Sequence, residues 1–343
     1  MLFARQCKGG SVMSRRSVVV VSAFAVGLVV LGALAAAPPV GAQAGGYPTK
    51  SITLLVPWPA GGWVDATARV VAGIAEKDLG QPVVVTNRVG GGGQVAWTEL
   101  ARARADGYTL GIVNFPNLST IVYDPERKAA FTAGAYTHLV NQVLNPVAVW
   151  VKPDSPYRSL RDLVEDARKR PAQIRVGLDA ILGDDHLALL LLEQEASVRF
   201  RAVHFEGAAP QIPALLGGQV DVVFQNASFP FVPRARAGEV RMIAVFARER
   251  SPFLPDVPTA AEQGFQTTMS VTSGLAAPKG LPGPVAEKLQ AVFARAMQSA
   301  EHREKLQQIG VPAKILVGAE YTQLIDELDG HARRLVEQFR KSR

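Results

Sequence analysis

The chain is poor in the residues from which most covalent and metal chemistry is built. It carries one cysteine, Cys7, in 343 residues, which excludes an internal disulfide framework and a cysteine-ligated zinc or iron–sulfur site. Its five histidines, at positions 138, 186, 204, 302 and 331, show neither HExxH nor HxxxH spacing, so no helix-borne metal pair is written into it. No G-x-S-x-G elbow and no P-loop signature occurs, and the enzyme classes that depend on them drop out. Long runs of one charge are missing too. Of the 37 basic side chains, Arg5, Lys8, Arg15 and Arg16 precede residue 45, where no acid occurs, leaving 33 against 30 acids in the rest. A body so nearly balanced has no basic stripe with interleaved aromatics, and nucleic acid is not a partner this composition calls for.

What is present is ordinary globular material: 48% hydrophobic residues, 31 glycines and 23 prolines, enough for one large or two medium domains. Residues 1–44 read as an export signal. A basic start ends in Arg15-Arg16, an apolar run extends from Val18 to Ala37, and small residues lead to Ala42-Gln43-Ala44, so cleavage is expected after Ala44. The run is long enough to span a bilayer, but it is rich in Ala, Gly and Val and is followed by a small-x-small site. Cys7 lies ahead of the run, where a lipoprotein acylation site cannot be. The twin arginines allow either general export route. The expected destination is a bacterial periplasm, where ATP- and NAD-dependent chemistry has no supply.

Beyond the signal the pattern alternates. Strands are predicted at Ile52–Val56, Pro82–Thr86 and Tyr108–Asn114, with helices at Ala66–Leu79 and Val95–Arg104 between them. The first helix has Val71, Ile74, Ala75 and Leu79 on one face, Asp65 at the N-cap position, and Gly80 before Pro82 as its stop. The rhythm resumes with strands at Val147–Val151, Ile174–Leu178, Arg201–Phe205, Val220–Phe224 and Val240–Phe246. Between them come a helix opened by a Ser159/Asp162 capping box and stopped by Pro171, and helices at His186–Gln194 and Ala209–Leu216. The tail reads as helices at Pro284–Met297, Glu301–Ile309 and Glu320–Phe339, with a strand at Ala313–Val317. Such alternation means α/β architecture with mainly parallel sheets flanked by helices.

In open α/β sheets ligands bind beyond the carboxyl ends of the strands. Two loops there stand out, the one from Pro57 through Trp58, Pro59, Ala60, Gly61, Gly62, Trp63 and Val64 to Asp65, and the one from Asn87 to Gln94 with Gly90, Gly91, Gly92 and Gly93. Glycines ahead of a helix let backbone N–H groups face a guest, and the helix dipole adds about half a positive charge. Two such loops could form an anion socket without Arg or Lys; the plainer reading is that the glycines serve tight turns. Residues 91–96 also fit a relaxed G-x-G-x-x-A, yet the next strand ends in Asn114 where a dinucleotide site wants an acid. No cofactor is implied.

The segment from Tyr47, YPTKSITLLVPWPAGGWVDATARVVAGIAEKDLGQPVVVTNRVGGGGQVA, resembles the opening of the substrate-binding proteins of tripartite tricarboxylate transporters, the Bordetella uptake gene family. The likeness continues collinearly through ADGYTL, YDPERKAAFT, VHFEGAAPQIPALLGGQVDVVFQN, ERSPFLPDVPTAAEQGF and GLAAPKGLP, across essentially the whole chain after the signal. It implies a two-lobed periplasmic binding protein of Venus-flytrap type that closes on a small organic acid. The lobes would be residues 45–146 with 273–343, and 147–272. Residues 59–65 and 90–94 would hold the ligand carboxylate through main-chain N–H groups. The second lobe would contribute at Gly183–His186, including Asp185 and His186, at Phe205-Glu206-Gly207, and at Gln225 and Asn226.

The chain departs from the family pattern where ligand choice is set. Trp63-Val64 brings a large ring in place of a hydroxyl, Phe205-Glu206 replaces Tyr-Lys, and Asp184-Asp185 replace hydroxyl residues. Negative charge on the second wall makes a citrate-like polyanion a poor fit and a monocarboxylate with an aromatic or amine-bearing body a better one. Trp63 is read as a stacking surface or a rim residue, Trp58 as a wedge behind the loop, Asp65 as a cap, Gln225 and Asn226 as amide donors or turn formers, and His186 as a helix-start residue rather than a metal ligand. The function expected is a monomeric receptor, not an enzyme, delivering a carboxylate to membrane permease subunits. The alternatives are a receptor for a signalling system and a hydrolase using Ser228 or Ser273 with His204.

Overall fold

A computed structural model of the protein describes residues 46–341; the segment expected to be an export signal lies outside them. Among the described residues no helix is long and apolar enough to cross a membrane.

The first flank is built from β1 (Ile52–Val56), α1 (Trp63–Leu79), β2 (Val83–Asn87), α2 (Gln94–Arg102) and β3 (Thr109–Val113). Helix α1 starts three residues before the predicted Ala66. Gly62 is its N-cap, and Asp65 sits inside the first turn. Its end is as read: Gly80 takes φ +66 and donates its N–H to Glu76 O, a left-handed closure that glycine adopts without strain. A short helix α3 (Asn117–Tyr123), absent from the sequence reading, follows β3.

The second flank comprises α4 (Leu160–Lys169), β5 (Arg175–Leu178), α5 (Asp184–Ala196), β6 (Arg201–His204), α6 (Gln211–Leu216), β7 (Val222–Asn226), α7 (Phe231–Arg236) and β8 (Arg241–Val245). The predicted capping box is formed: Asp162 N donates to Ser159 Oγ at 3.1 Å and Ser159 N to Asp162 Oδ2 at 3.0 Å.

Two strands tie the flanks together, β4 (Tyr136–Val151) and β9 (Ser270–Pro278). Along the sheet the order is β2-β1-β3-β9-β4-β7-β5-β6, with β8 and β10 (Ala313–Val317) also paired to β4. The flanks are parallel, as the alternation predicts. The centre is antiparallel, because β4 and β9 carry the chain between flanks in opposite directions. Strand β4 pairs with β9 from Tyr136 to Pro146 and with β7 and β8 from Val147 onward. Leu54, Val71 and Phe293 belong to one core beside the first flank, and Trp97, Phe115 and Tyr321 to another. Leu163, Leu189 and Phe246, and separately Trp150 and Phe231, fill cores beside the second. Helices α8 (Gly283–Gln298) and α9 (Ala300–Ile309) return to the first flank. The last helix, α10 (Gly318–Lys341), serves both: Tyr321 and Ile325 lie in a first-flank core and Val336 in a second-flank core.

Candidate ligand-binding site

Pro57 ends β1, and the next five residues carry the chain into α1. Gly61 takes φ +85, a conformation side chains resist. The loop is fastened from behind by Asp65. Its Oδ2 accepts from Gly61 N at 3.2 Å, its Oδ1 from Asn87 Nδ2 at 2.9 Å, and Arg69 pairs with it at 2.9 Å. Asn87 Nδ2 also donates to Trp58 O at 2.8 Å. Burial opposes ionisation of Asp65, but the hydrogen bonds from Arg69, Asn87 and Gly61 outweigh it and hold the carboxyl below its usual range. A cap this is not; it is a brace that leaves the first N–H groups of α1 uncovered on the other side.

That other side is a narrow cavity with about 20 Å³ of free volume, room for about one water molecule. The carboxyl ends of β1, β3, β5 and β7 meet around it. From the first loop Trp58, Pro59, Gly62, Trp63 and Val64 line it; Asn114 and Asn117 follow β3, with Val271 beside them. Opposite stand Asp179 after β5, Asp184 at the start of α5, Gly207 to Ala209, and Asn226 at the end of β7. Trp63 Nε1 donates across the cavity to Asn226 Oδ1 at 3.0 Å. Asn226 Nδ2 donates to Asp184 Oδ2 at 2.8 Å, and Asn117 Nδ2 to Asp184 Oδ1 at 3.0 Å. Trp58 Nε1 donates to Asn114 Oδ1 at 2.9 Å, which fixes that ring against the end of β3. A chain of hydrogen bonds thus joins the start of α1 to the second flank.

Eight of the residues singled out in the sequence, Trp58, Pro59, Gly62, Trp63, Val64, Asp184, Gly207 and Asn226, are brought together here. Ala60 and Gly61 are exposed on the rim. Asp185 and His186 lie one layer behind Asp184. Asp185 Oδ1 accepts from His186 N at 2.8 Å and Oδ2 from Asp179 N, while His186 Nδ1 accepts from Leu182 N at 3.0 Å. The His186 ring packs beside His204, with centroids 4.8 Å apart. Gln225 is buried with Oε1 accepting from Asn226 N at 2.8 Å. Phe205 packs against Gly177, Glu206 faces solvent, and the smaller Gly207, Ala208 and Ala209 form the wall instead.

The second glycine loop is not part of this cavity. Gly91, Gly92 and Gly93 take φ of 60, 63 and 101 and curl into a 3-10 turn whose Gly93 N returns to Gly90 O at 3.2 Å. Arg127 donates to Gly91 O, and Gln94 Nε2 donates to Arg127 O at 2.9 Å. Gly92 of this loop faces Ala180, which follows β5 of the second flank. Nor is a serine–histidine pair assembled: Ser228 Oγ accepts from Asn145 Nδ2 at 2.8 Å, and His204 is with His186.

The polar lining residues not anticipated by the sequence are Asn114, Asn117 and Asp179. Each follows the carboxyl end of a strand, a signal available in the sequence. Asp179, Asp184 and Asp185 place carboxylate oxygens within 4.8 Å of one another, and among the described residues no Lys or Arg forms an ion pair with them. Burial raises the pKa of all three; the neighbouring Asp184 charge adds to the rise at Asp179, and both neighbours add to it at Asp185.

Residues 67–340 match the tripartite tricarboxylate transporter family receptor. Protein BugT of Bordetella pertussis is 30% identical over 287 residues, 80% of this chain and 83% of BugT. MatC of Rhodopseudomonas palustris, solved with bound malate, has 29% identity and a TM-score of 0.76, covering 84% of this chain and 100% of MatC. The periplasmic binding protein BugD has 28% identity and a TM-score of 0.76, covering 86% and 98%. The mixed α/β fold is that of these binding proteins, and the chain belongs to the tripartite tricarboxylate transporter receptor family.

Proposed function

We propose that the protein is an extracytoplasmic, monomeric solute receptor that captures a small organic carboxylate and presents it to the membrane permease subunits of a tripartite tricarboxylate-type transporter. The two flanks act as lobes, residues 45–146 with 273–343 and residues 147–272, and move about β4 and β9. The change of partner on β4 between Pro146 and Val147 supports that division. The carrying observation is the bond from Trp63 at the start of α1 to Asn226 at the end of β7. It puts an uncovered helix N-terminus, a ready anion site, at the contact between lobes. A cavity of this size admits an organic acid only when the lobes part. A ligand that bridges them then favours the closed form by its contacts on both sides. The malate held by MatC supports a carboxylate as the guest, and binding alone, without bond cleavage, is the activity.

Calorimetry on Gly62→Val tests this. A Cβ at Gly62 meets only Pro59 O, at an ordinary 3.6 Å, and its φ of −88 suits any residue. The variant should therefore melt with the native protein. Its affinity for carboxylates that the native protein binds, and for any solute retained through native purification, should fall about tenfold or more as the side chain blocks backbone approach. Undiminished affinity overturns the first-loop assignment, and chemical conversion of the retained solute overturns the receptor reading.

A further inference from the structure

The last helix, α10, meets both lobes, and its contacts with them differ in kind. Toward the first lobe they are directional. Beyond Tyr321 and Ile325 in a first-flank core, Asp329 accepts hydrogen bonds from Ser119 Oγ and Tyr123 Oη of α3. Further along, Arg340 donates to Asp124 Oδ1 at 2.9 Å. Toward the second lobe the contacts are apolar. Val336 is buried in a second-flank core, and Leu335, Phe339 and Tyr123 pack against that core. The Phe339 ring stands edge-on to His186 in the first turn of α5, with centroids 6.1 Å apart.

Hydrogen bonds fix a partner by direction and distance, whereas apolar attraction is non-directional and follows the area covered. The helix therefore travels with the first lobe, and a parting of the lobes takes place at its apolar face. That face is open along one side. A groove of about 780 Å³ runs beside it, with Leu190, Leu191 and Val198 on one bank and Leu335 and Phe339 on the other. Phe339 is half-buried at its edge, so its contact can be released without dismantling either core.

We propose that the C-terminal half of α10 is a latch: Val336 and Phe339, carried on the first lobe by Asp329 and Arg340, hold the lobes of the unoccupied receptor together and set how often the cleft opens. This rests on the two-lobed receptor reading above and adds a third tie to those of β4 and β9. Val336 and Phe339 are positioning residues. They line no part of the cavity and act through α5, whose first residue, Asp184, stands on the cavity wall. Because the closed cavity admits solute only after the lobes part, the latch slows entry as well as escape. Weakening it enlarges the open population, which speeds entry and lowers affinity for a solute held by the closed form.

The test needs no solute and uses maleimide labelling of the dialysed protein. Cys7 is the sole thiol, so Cys7→Ser gives a silent background. In it, Ala208→Cys places a thiol on the cavity wall, where the native side chain is 7% exposed, and its labelling reads opening of the cleft. Ala148→Cys, at a fully buried position in β4, labels only on unfolding and serves as the reference. Phe339→Ala should speed labelling at Ala208→Cys about tenfold more than at Ala148→Cys. Phe339→Leu, which keeps most of the apolar contact, should restore most of the slow rate. Tyr123→Phe, which takes one donor from Asp329, should act in the same direction as Phe339→Ala and more weakly. Unchanged labelling at Ala208→Cys in Phe339→Ala makes the helix a pivot, and a rise matched at Ala148→Cys makes Phe339 an ordinary part of the core. Either result overturns the latch and leaves the receptor reading intact. With Phe339 in place, labelling at Ala208→Cys no faster than at Ala148→Cys removes lobe movement itself, and the receptor reading with it.

Discussion

The two glycine-rich loops of the first flank occupy equivalent places, each between the end of a strand and the start of a helix, and they do different things. In the loop before α1, the fastening bonds come from Asp65 and Asn87, no side chain caps the helix, and Gly62, Trp63 and Val64 at its start line the cavity. In the loop before α2, three consecutive left-handed glycines fold the chain onto itself, and Arg127 holds Gly91 O. Glycine before a helix marks a backbone conformation. Whether that conformation offers donors to a guest depends on which side chains hold the loop and from which side.

The widest separation between the loops is expected from Gly93→Ala. Gly93 has φ +101, and a Cβ there would lie 2.7 Å from Trp97 Cη2. Trp97 is fully buried and its Nε1 donates to Ile112 O at 3.0 Å, so the ring has nowhere to go. Left-handed strain plus overpacking should cost about 3 kcal/mol, read by chemical denaturation. Affinity of the folded fraction should be unchanged, the mirror image of Gly62→Val. Loss of binding without loss of stability would make the two loops alike.

The next effect concerns Asp65, whose role differs in sign from that of the acids at α5. Its carboxyl titrates below the ordinary value, so the folded state favours the ionised form. The stability this supplies is present above the unfolded-state pKa and is lost as pH falls through the lower folded-state value. Asp65→Asn should therefore cost about 2 kcal/mol near neutral pH, and the gap to the native protein should close below about pH 4. Asp179 has the opposite shift: folding favours its protonated form, and its contribution declines as pH rises from the unfolded pKa through the raised one. A gap for Asp65→Asn that persists in acid would show that packing, not charge, braces the loop.

Much of the frame was legible from local chemistry. The Ser159/Asp162 box, the Gly80 stop and the β10 span of Ala313–Val317 appear where the pattern puts them. Strand β9 was hidden because Ser270–Pro278, with its small residues, carries neither alternation nor a β-branched run; its pairing is dictated by β4 on one side and β3 on the other. The first half of β4 was hidden by its buried polar residues. Gln142 reaches Thr67 O at 3.0 Å and Asn141 reaches Lys314 O at 2.7 Å, partners that exist only in the assembled fold. At the site, sequence likeness pointed to 183–186, yet it is Asp184, with Asp179 from the preceding strand end, that faces the cavity, and Asp185 turns back to bind Asp179 N. One position along the first turn of a helix rotates a side chain by about 100°, and neither composition nor spacing reports that phase.

The smallest expected effect sharpens the comparison furthest, because it loosens the second loop without filling any space. Arg127 is half-buried at the surface, and its guanidinium donates to Gly91 O. Truncation in Arg127→Ala removes that bond but leaves the main-chain acceptor of Gln94 Nε2 and the turn from Gly93 N to Gly90 O in place. The cost in stability should stay under about 1 kcal/mol, since water can replace the guanidinium at an accessible carbonyl. If the second loop is only a turn, affinity for the solute stays the same within error, because no donor that faces the cavity has moved. If affinity falls while stability holds, the loop reaches the guest through its contact with Ala180 next to Asp179. The socket would then have two glycine walls, with Arg127 setting how far the second one leans in.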